Sequence, residues 1–301
     1  MISRLGRDWF GLTSFDPGPE RTADGFLYVL EDVGSTSDFL LGRGAPATGR
    51  LCRWDGWGWQ AGQRQLLQPP LDARPGSVAV ARRQSAGRGR LGRRWHGQGG
   101  LLMSWNIDPV PSPPVAGLAV WTGLTAVLAL EELTGLPVRL KWPNDVFLGG
   151  RKLGGILLDF MVLTPRPRLV AGLGLNVGRL PADLPPDVRA RAAVLPPDPA
   201  RWRTLGELAG AVLRRWQDGL ERFLDVGWDE YRCDFDRVDA LAGRRVELVS
   251  GGERREGLAI GIDDTGALLL RHGDGRVSTA LAGDVHVLGV GPASPPAPGR
   301  G

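Results

Sequence analysis

The chain has 301 residues, 42% apolar and 23% charged, enough for one large domain or two around a sizeable core, which excludes wholesale disorder. Its best apolar stretch, residues 116–130, ends at Glu131 and Glu132, short of the ~20 residues a membrane helix needs, and residues 1–30 show charge but no apolar signal core, so a cytoplasmic chain is expected. A formal net charge of +4 is too small an excess to mark a general nucleic-acid surface, and two distant cysteines, Cys52 and Cys233, make neither a disulfide framework nor a metal motif.

Residues 1–25 read as a loose leader. A strand is expected over 26–33, where Gly34, Ser35, Thr36, Ser37 and Asp38 then supply turn and N-cap residues for a short helix through Leu41. Periodicity vanishes across 42–76, which holds Trp54, Trp57 and Trp59 among Gly, Arg, Gln and Pro. The stretch is too long for an ordinary connection and is read as an insertion or partly ordered surface loop packed by its own tryptophans. A buried strand over 77–81 leads into a Gly/Arg-rich segment, and a strand resumes at 101–107. After Pro111, Pro113 and Pro114 an apolar helix is expected over 116–134, stopped by Gly135 and Pro137.

Strands follow at 138–142, 145–148, 152–160 and 168–175, with a hairpin at Gly149 and Gly150. A Pro-rich connector at 181–199 leads to a helix opened by the capping box of Thr204 and Glu207, with Leu205, Leu208, Val212, Leu213, Trp216, Leu220 and Phe223 on one apolar face. Beyond Arg244 short strands at 245–249, 257–262, 267–270, 277–280 and 285–288 predict a small β-barrel. Residues 289–301 form a Pro/Gly tail expected to be disordered.

The loudest chemical feature runs from Gln84 to Trp95. Arg88, Arg90, Arg93 and Arg94 alternate there with Gly87, Gly89 and Gly92. Glycines let backbone N–H groups turn toward an anion, and arginines grip phosphate with two donors at once. Nucleotide phosphate is the favoured ligand; an RNA-binding arginine tract and a solvated loop are the alternatives. No Walker A pattern occurs.

Lysine is scarce: the 37 basic residues include only two, Lys141 and Lys152. In a chain that otherwise uses arginine throughout, a retained lysine points to a task for a compact ammonium that a planar fork cannot perform. Both fall in one region, Lys141-Trp142-Pro143-Asn144-Asp145 followed by Arg151-Lys152-Leu153-Gly154-Gly155-Ile156. Lys152 is placed to reach a carboxylate or the phosphate it attacks. Weaker signals are Gly172, Gly174 and Asn176 at a strand end, and the Ser35–Thr36 hydroxyls, which an ordinary N-cap explains equally well. His96, His272 and His286 are scattered and form no catalytic set.

Together these segments resemble the biotin protein ligases. Gly-Arg-Gly-Arg-x-Gly-Arg-x-Trp, Lys-Trp-Pro-Asn-Asp, Arg-Lys-x-x-Gly-Ile and Gly-x-Asn occur in that order from about Tyr28 to Leu288, leaving out 42–76. The resemblance implies an α+β fold: a class II synthetase-like mixed sheet flanked by helices, followed by an SH3-like barrel. The corresponding divisions are an N-terminal arm 1–27, a catalytic domain 28–240 containing the 42–76 insertion, a C-terminal domain 241–288 and the tail 289–301. It implies an enzyme that makes biotinyl-5′-AMP from biotin and ATP with Mg²⁺, then passes biotin to a lysine of the apo biotin carboxyl carrier protein of acetyl-CoA carboxylase or a related carboxylase. No DNA or membrane partner is expected, since residues 1–27 are too few for a winged helix, and the expected state is a monomer or weak homodimer.

By motif, Ser35, Thr36, Gln84, Gly87, Arg88, Lys152 and Gly155 fall to biotin, and Arg88, Arg90, Arg93, Trp95, Asn144, Asp145 and Asn176 to the nucleotide. Lys152 and Arg90 carry the catalytic roles, and Asp145 is the candidate Mg²⁺ contact. Ser37 stands where the family commonly has Asn, and 42–76 exceeds the usual short link. Three other readings are weighed: a lipoate–protein ligase, an RNA-binding module built on the arginine tract, and a catalytically silent biotin-binding protein, which an intact Lys152 and Asp145 argue against.

Overall fold

A computed structural model describes residues 9–16, 25–55, 58–96, 98–107, 110, 117–162, 167–182 and 184–290. The chain forms β1 (Leu27–Val33), α1 (Thr36–Leu40), β2 (Ala47–Trp54), β3 (Trp59–Ala61), β4 (Gln65–Leu67), β5 (Val78–Gln84), β6 (Leu101–Asn106), α2 (Leu118–Thr134), β7 (Val138–Lys141), β8 (Asp145–Leu148), β9 (Arg151–Met161) and β10 (Arg168–Leu175). Then come α3 (Pro186–Arg191), α4 (Leu205–Val226), α5 (Arg232–Val238), β11 (Arg244–Ser250), β12 (Glu253–Ile262), β13 (Leu268–Arg271), β14 (Val277–Ala280) and β15 (Asp284–Val290). Among the described residues no helix is long and apolar enough to cross a membrane.

The first ten strands make one mixed sheet in the order β3-β2-β1-β5-β6-β10-β9-β8-β7, with β4 also on β2. Among the described residues β1 and β5 pair parallel, and the other strand pairs of this sheet are antiparallel. Strand alternation assigns the two faces opposite jobs. One face carries Leu27, Val78, Val80, Met103, Trp105, Ala171 and Leu173, which join the large core with α2 and α4. α2 is buried over most of its circumference because it lies between sheet and α4, while Leu208, Val212, Leu213, Trp216, Leu220 and Phe223 of α4 are buried as one stripe.

The other face carries Tyr28, Leu30, Ala79, Ala81, Leu102 and Val170 beneath Phe39, Leu40 and Leu41 of the α1 segment. This face is lightly roofed, and the glycine–arginine segment crosses it. The last five strands form a separate antiparallel sheet, β14-β13-β12-β11-β15, the small C-terminal barrel-like unit of the SH3-like class. Trp142 ties the two together, its buried indole N–H donating to the Gly266 carbonyl at 2.9 Å.

Three expectations need correction. Residues 42–76 are not without regular structure: β2 pairs antiparallel with β1, and β3 and β4 both pair with β2, so the stretch extends the sheet. Its inward positions include Ala47, Gly49 and Cys52, residues too small to produce a visible apolar alternation. Gly49 is small of necessity, since a Cβ there would meet the Val29 carbonyl oxygen at 2.4 Å. Trp54 and Trp59 do pack edge to face at 5.8 Å; Trp57 lies outside the described residues. Second, the leader is not loose over 9–16, where Phe10 and Phe15 are buried and the Phe10 carbonyl accepts from Gly206 N–H at 2.7 Å. Third, α3 lies within the Pro-rich connector, and α5, which the apolar pattern did not reveal, precedes the C-terminal unit. The prolines at 111, 113 and 114, residue 116 of the expected helix, and tail residues 291–301 lie outside the described residues; β15 itself extends to Val290.

Candidate active site

The site is assembled on the lightly roofed face of the sheet. Ser35 ends β1's turn and caps α1, accepting weakly from Asp38 N–H at 3.4 Å. The helix start turns the next two hydroxyls inward. Thr36 donates both its N–H (2.7 Å) and its Oγ1–H (3.0 Å) to Gln84 Oε1, and its Oγ1 lies 2.7 Å from Ser104 Oγ, which lies 3.0 Å from Ser37 Oγ. Each hydroxyl has one proton. With that of Thr36 committed to Gln84, Ser104 donates to Thr36 and Ser37 donates to Ser104. The chain fixes Gln84 with its oxygen inward and its NH₂ toward Gly87. Ser104 is a site residue that the sequence reading missed. It sits on β6 as a lone hydroxyl in a fully buried strand, and only the sheet register brings it under α1.

Glycines make the floor. Gly172 on β10 pairs with Ser104, and Gly174 pairs with Gly155 of β9. A Cβ at Gly172 would come 2.6 Å from Ser37 Oγ, and one at Gly174 would strike the Trp95 ring at 2.5 Å. Trp95 therefore packs against strand β10 at Gly174, and its backbone N–H closes the loop base on the Gly87 carbonyl at 2.9 Å.

The arginines do not act alike. Arg88 is clamped by two carboxylates: its Nε donates to Asp38 (3.0 Å) and its two terminal nitrogens fork onto Asp159 (3.0 and 2.7 Å). Burial opposes its charge, yet these two carboxylates outweigh burial and raise its pKa. Arg88 thus anchors the loop base to α1 and β9. Arg90 reaches across to Asn144 Oδ1 (3.2 Å) and the Gly283 carbonyl (3.3 Å); burial pulls its pKa down, against the nearby Asp145. Arg93 pairs with Asp284, and Arg94 donates to the Ser85 carbonyl at 3.2 Å. Between Arg90 and Arg93 the chain turns through Leu91, at φ 55, a left-handed conformation uncommon for a branched residue.

Opposite the loop, the β8–β9 hairpin brings Asp145 and Lys152 together, Nζ to Oδ1 at 2.6 Å. Asn144, in the turn after Trp142 and Pro143, is held by its side-chain amide on the Ile156 carbonyl and by its backbone carbonyl on Ile156 N–H. The Cβ position of Gly155 faces Asp145 Oδ1 at 3.4 Å and the Lys152 stem at 3.7 Å. Asn176, at the end of β10, spends its amide on the Ala193 carbonyl (3.0 Å), and its backbone N–H bonds Leu153 beside Lys152. Lys141 lies deep in the same region. Burial lowers its pKa, opposed by Asp145 and reinforced by like charge from Lys152, Arg93 and Arg191.

The result is two adjoining surfaces. One is a cluster of hydroxyls around an oriented amide, groups suited to a neutral polar ring. The other gathers Arg90, Arg93, Lys141 and Lys152 around Asp145, an excess of positive charge suited to a polyphosphate. The Arg88 guanidinium, expected at the nucleotide, bonds two carboxylates of the chain itself. Of the carboxylates that hold the loop, Asp38 was marked only as a turn and cap residue, and Asp159 and Asp284 carried no sequence signal beyond being acidic. Among the described residues no group of three or more His, Cys, Asp or Glu side chains gathers to hold a metal ion.

Residues 64–164 match the biotin/lipoate A/B protein ligase family, and residues 242–287 match the biotin protein ligase C-terminal domain. The bifunctional ligase/repressor BirA of Escherichia coli is 31% identical over 234 residues, covering 73% of this chain and 69% of that one. The biotin–[acetyl-CoA-carboxylase] ligase of Mycobacterium tuberculosis is 33% identical over 218 residues, covering 70% and 78%. A solved biotin protein ligase from Aquifex aeolicus, in complex with biotin and ATP, superposes with a TM-score of 0.66 at 27% identity, over 87% of this chain and 98% of that one.

Proposed function

The chain belongs to the biotin protein ligase family, and from that premise we propose that it joins biotin to a carrier protein in two steps at this one site. A carboxylate oxygen of biotin attacks the α-phosphorus of ATP, the bond to pyrophosphate breaks, and biotinyl-5′-AMP forms. The amine of a carrier lysine then attacks the acyl carbon, AMP leaves with the bonding electrons, and the amine sheds a proton. The acceptor is the apo biotin carboxyl carrier protein of acetyl-CoA carboxylase or a related carboxylase.

The observation that carries this reading is the positive centre around Asp145, set beside the hydroxyl chain that orients Gln84. Attack by one anion on another is opposed by repulsion, so fixed cations aimed at the reacting oxygens supply the main catalytic effect. Ser35, Thr36 and Gln84 hold the ureido ring, the oriented Gln84 amide donating to it, with backbone at Gly87 and Arg88 alongside. Backbone at Gly155 borders the acyl chain. Lys152 exchanges Asp145 for the biotin carboxylate and the α-phosphate. Arg90 and Arg93 take phosphate oxygens, Asn144 and Asn176 border the nucleotide, and Trp95 fixes the loop beside it. Asp145, once released by Lys152, would be the residue to hold the Mg²⁺ that accompanies ATP, an ion that would offset phosphate charge while keeping most of its own waters.

The test is streptavidin blotting of a purified apo carrier domain incubated with this protein, biotin, ATP and Mg²⁺. Labelling that needs all four, together with biotin-dependent ATP–pyrophosphate exchange, is expected. Salt-sensitive RNA binding without such exchange would replace this reading with the arginine-tract one.

A further inference from the structure

The arginine loop is fastened at both ends by carboxylates of this chain, and the two fastenings belong to different parts of the molecule. Its base is fixed to the main sheet through Arg88, on Asp38 and Asp159. Its far limb is fixed to the C-terminal unit, at the turn leading from β14 into β15: Arg93 pairs with Asp284, and Arg90 donates to the carbonyl of the adjacent Gly283 at 3.3 Å. The turn is itself a rigid support. Gly283 stands at φ 154 with a Cβ position 2.6 Å from the Leu248 side chain and 3.0 Å from the Val249 carbonyl. Asp284 continues into the β15 pairing with Val249. The Asp284 side chain is 18% exposed against 61% for Arg93, so the acid is the seated partner and the arginine the one that docks.

We propose that Asp284 is a positioning residue that latches the arginine loop to the C-terminal unit, setting the loop's closed geometry before nucleotide arrives; its effect on catalysis rests on the ligase reading above. Arg93 engages Asp284 through one terminal nitrogen, which leaves the remainder of its guanidinium for an anion, so latching and phosphate contact are compatible. A loop already held in its bound shape loses less entropy when ligand binds. The latch therefore lowers the nucleotide concentration required and slows the escape of the activated acid, while the Lys152–Asp145 centre is unaffected by it.

The test compares the full chain with its Asp284→Asn and Asp284→Glu variants. Trypsin cleavage after Arg90, Arg93 and Arg94, followed by mass spectrometry, reads the loop directly and needs no activity. With Asn, loop cleavage is expected to rise about two- to fivefold, the range one exposed ion pair supports, and Glu is expected to restore most of the protection. Salt at 0.5 M should raise cleavage of the parent chain toward that of the Asn variant and leave the variant unchanged, since screening removes only the pair that is there. In biotin-dependent pyrophosphate exchange the KM for ATP should rise by a similar factor with kcat little changed, and biotinyl-AMP should appear sooner in solution. Unchanged loop cleavage, a rise spread evenly over arginines throughout the chain, or a looser loop with unaltered KM and escape would each overturn the proposal. Absence of exchange in the parent chain would instead remove the ligase reading, with the proteolysis result still deciding whether the latch exists.

Discussion

At the scale of residues the proposed chemistry rests on two features: an ammonium that faces Asp145 and a hydroxyl chain that orients one amide. Lys152→Arg retains charge but replaces a compact donor 2.6 Å from Asp145 with a planar fork that does not fit the same space. The expected outcome is at least a tenfold loss in biotin-dependent pyrophosphate exchange, about 1.4 kcal/mol of transition-state stabilisation; a rate near that of the parent would refute the assignment. Thr36→Val removes the hydroxyl between Gln84 and Ser104 and leaves the Gln84 oxygen with the Thr36 N–H bond alone of the two from Thr36. One buried hydrogen bond of about 1–2 kcal/mol corresponds to a biotin KM raised roughly tenfold with the KM for ATP unchanged. Lys141 shows how far residue-level reading extended. Its scarcity marked it, but only the packed structure shows a half-buried cation whose pKa burial lowers and the nearby Asp145 raises.

At the scale of elements, the parts most legible in sequence were those with a local cause. α4 begins where Thr204 and Glu207 placed it: Thr204 Oγ1 accepts from Glu207 N–H at 3.1 Å. The reciprocal bond differs from the expected capping box, because the Glu207 carboxylate accepts from Arg203 N–H at 2.7 Å instead of from Thr204. Thr204 also shares a 2.6 Å hydrogen bond with Ser14, so one side chain caps the helix and docks the segment that buries Phe10 and Phe15. Thr204→Ala should lower unfolding free energy by about 1–2 kcal/mol, seen as an earlier urea midpoint with an unchanged slope; no shift in midpoint would contradict the cap. β2 was illegible for the converse reason. Ala47, Gly49 and Cys52 are inward-facing by virtue of β1 beside them, and nothing in their own chemistry announces burial.

For the molecule as a whole, the junction between the main sheet and the C-terminal unit carries a buried acid. Asp239 follows α5, forms a bridge with Leu140 of β7, and accepts from Leu241 N–H at 2.8 Å, while its Oδ2 is buried without a hydrogen-bond partner. Burial raises its pKa to about 7, opposed by the Leu241 bond and reinforced by the like charge of Asp236. A raised folded-state pKa means that the native chain keeps a proton which the unfolded chain has already lost. The associated stability is complete below an ordinary carboxylate pKa of about 4 and disappears as pH rises through about 7. Asp239→Asn removes this dependence. Its melting temperature relative to the parent should climb by a few degrees between pH 6 and pH 8, on the order of 1–2 kcal/mol; parallel melting curves across that range would show that Asp239 does not titrate there.

The amino-acid sequence alone determined what depends on neighbours along the chain: the capped helix, the glycine-interrupted arginine loop, the rare lysines, and the regular spacing of short C-terminal strands. These are set by backbone conformational preference and side-chain chemistry within a few residues. Tertiary structure decided what depends on distant pairs. It set Ser104 beneath Thr36, gave Arg88 the carboxylates of Asp38 and Asp159, and met Arg93 with an aspartate 191 positions away. Charge and hydrogen-bonding capacity are written in each residue, but which donor meets which acceptor is fixed only when strand register and chain closure bring them within about 3 Å.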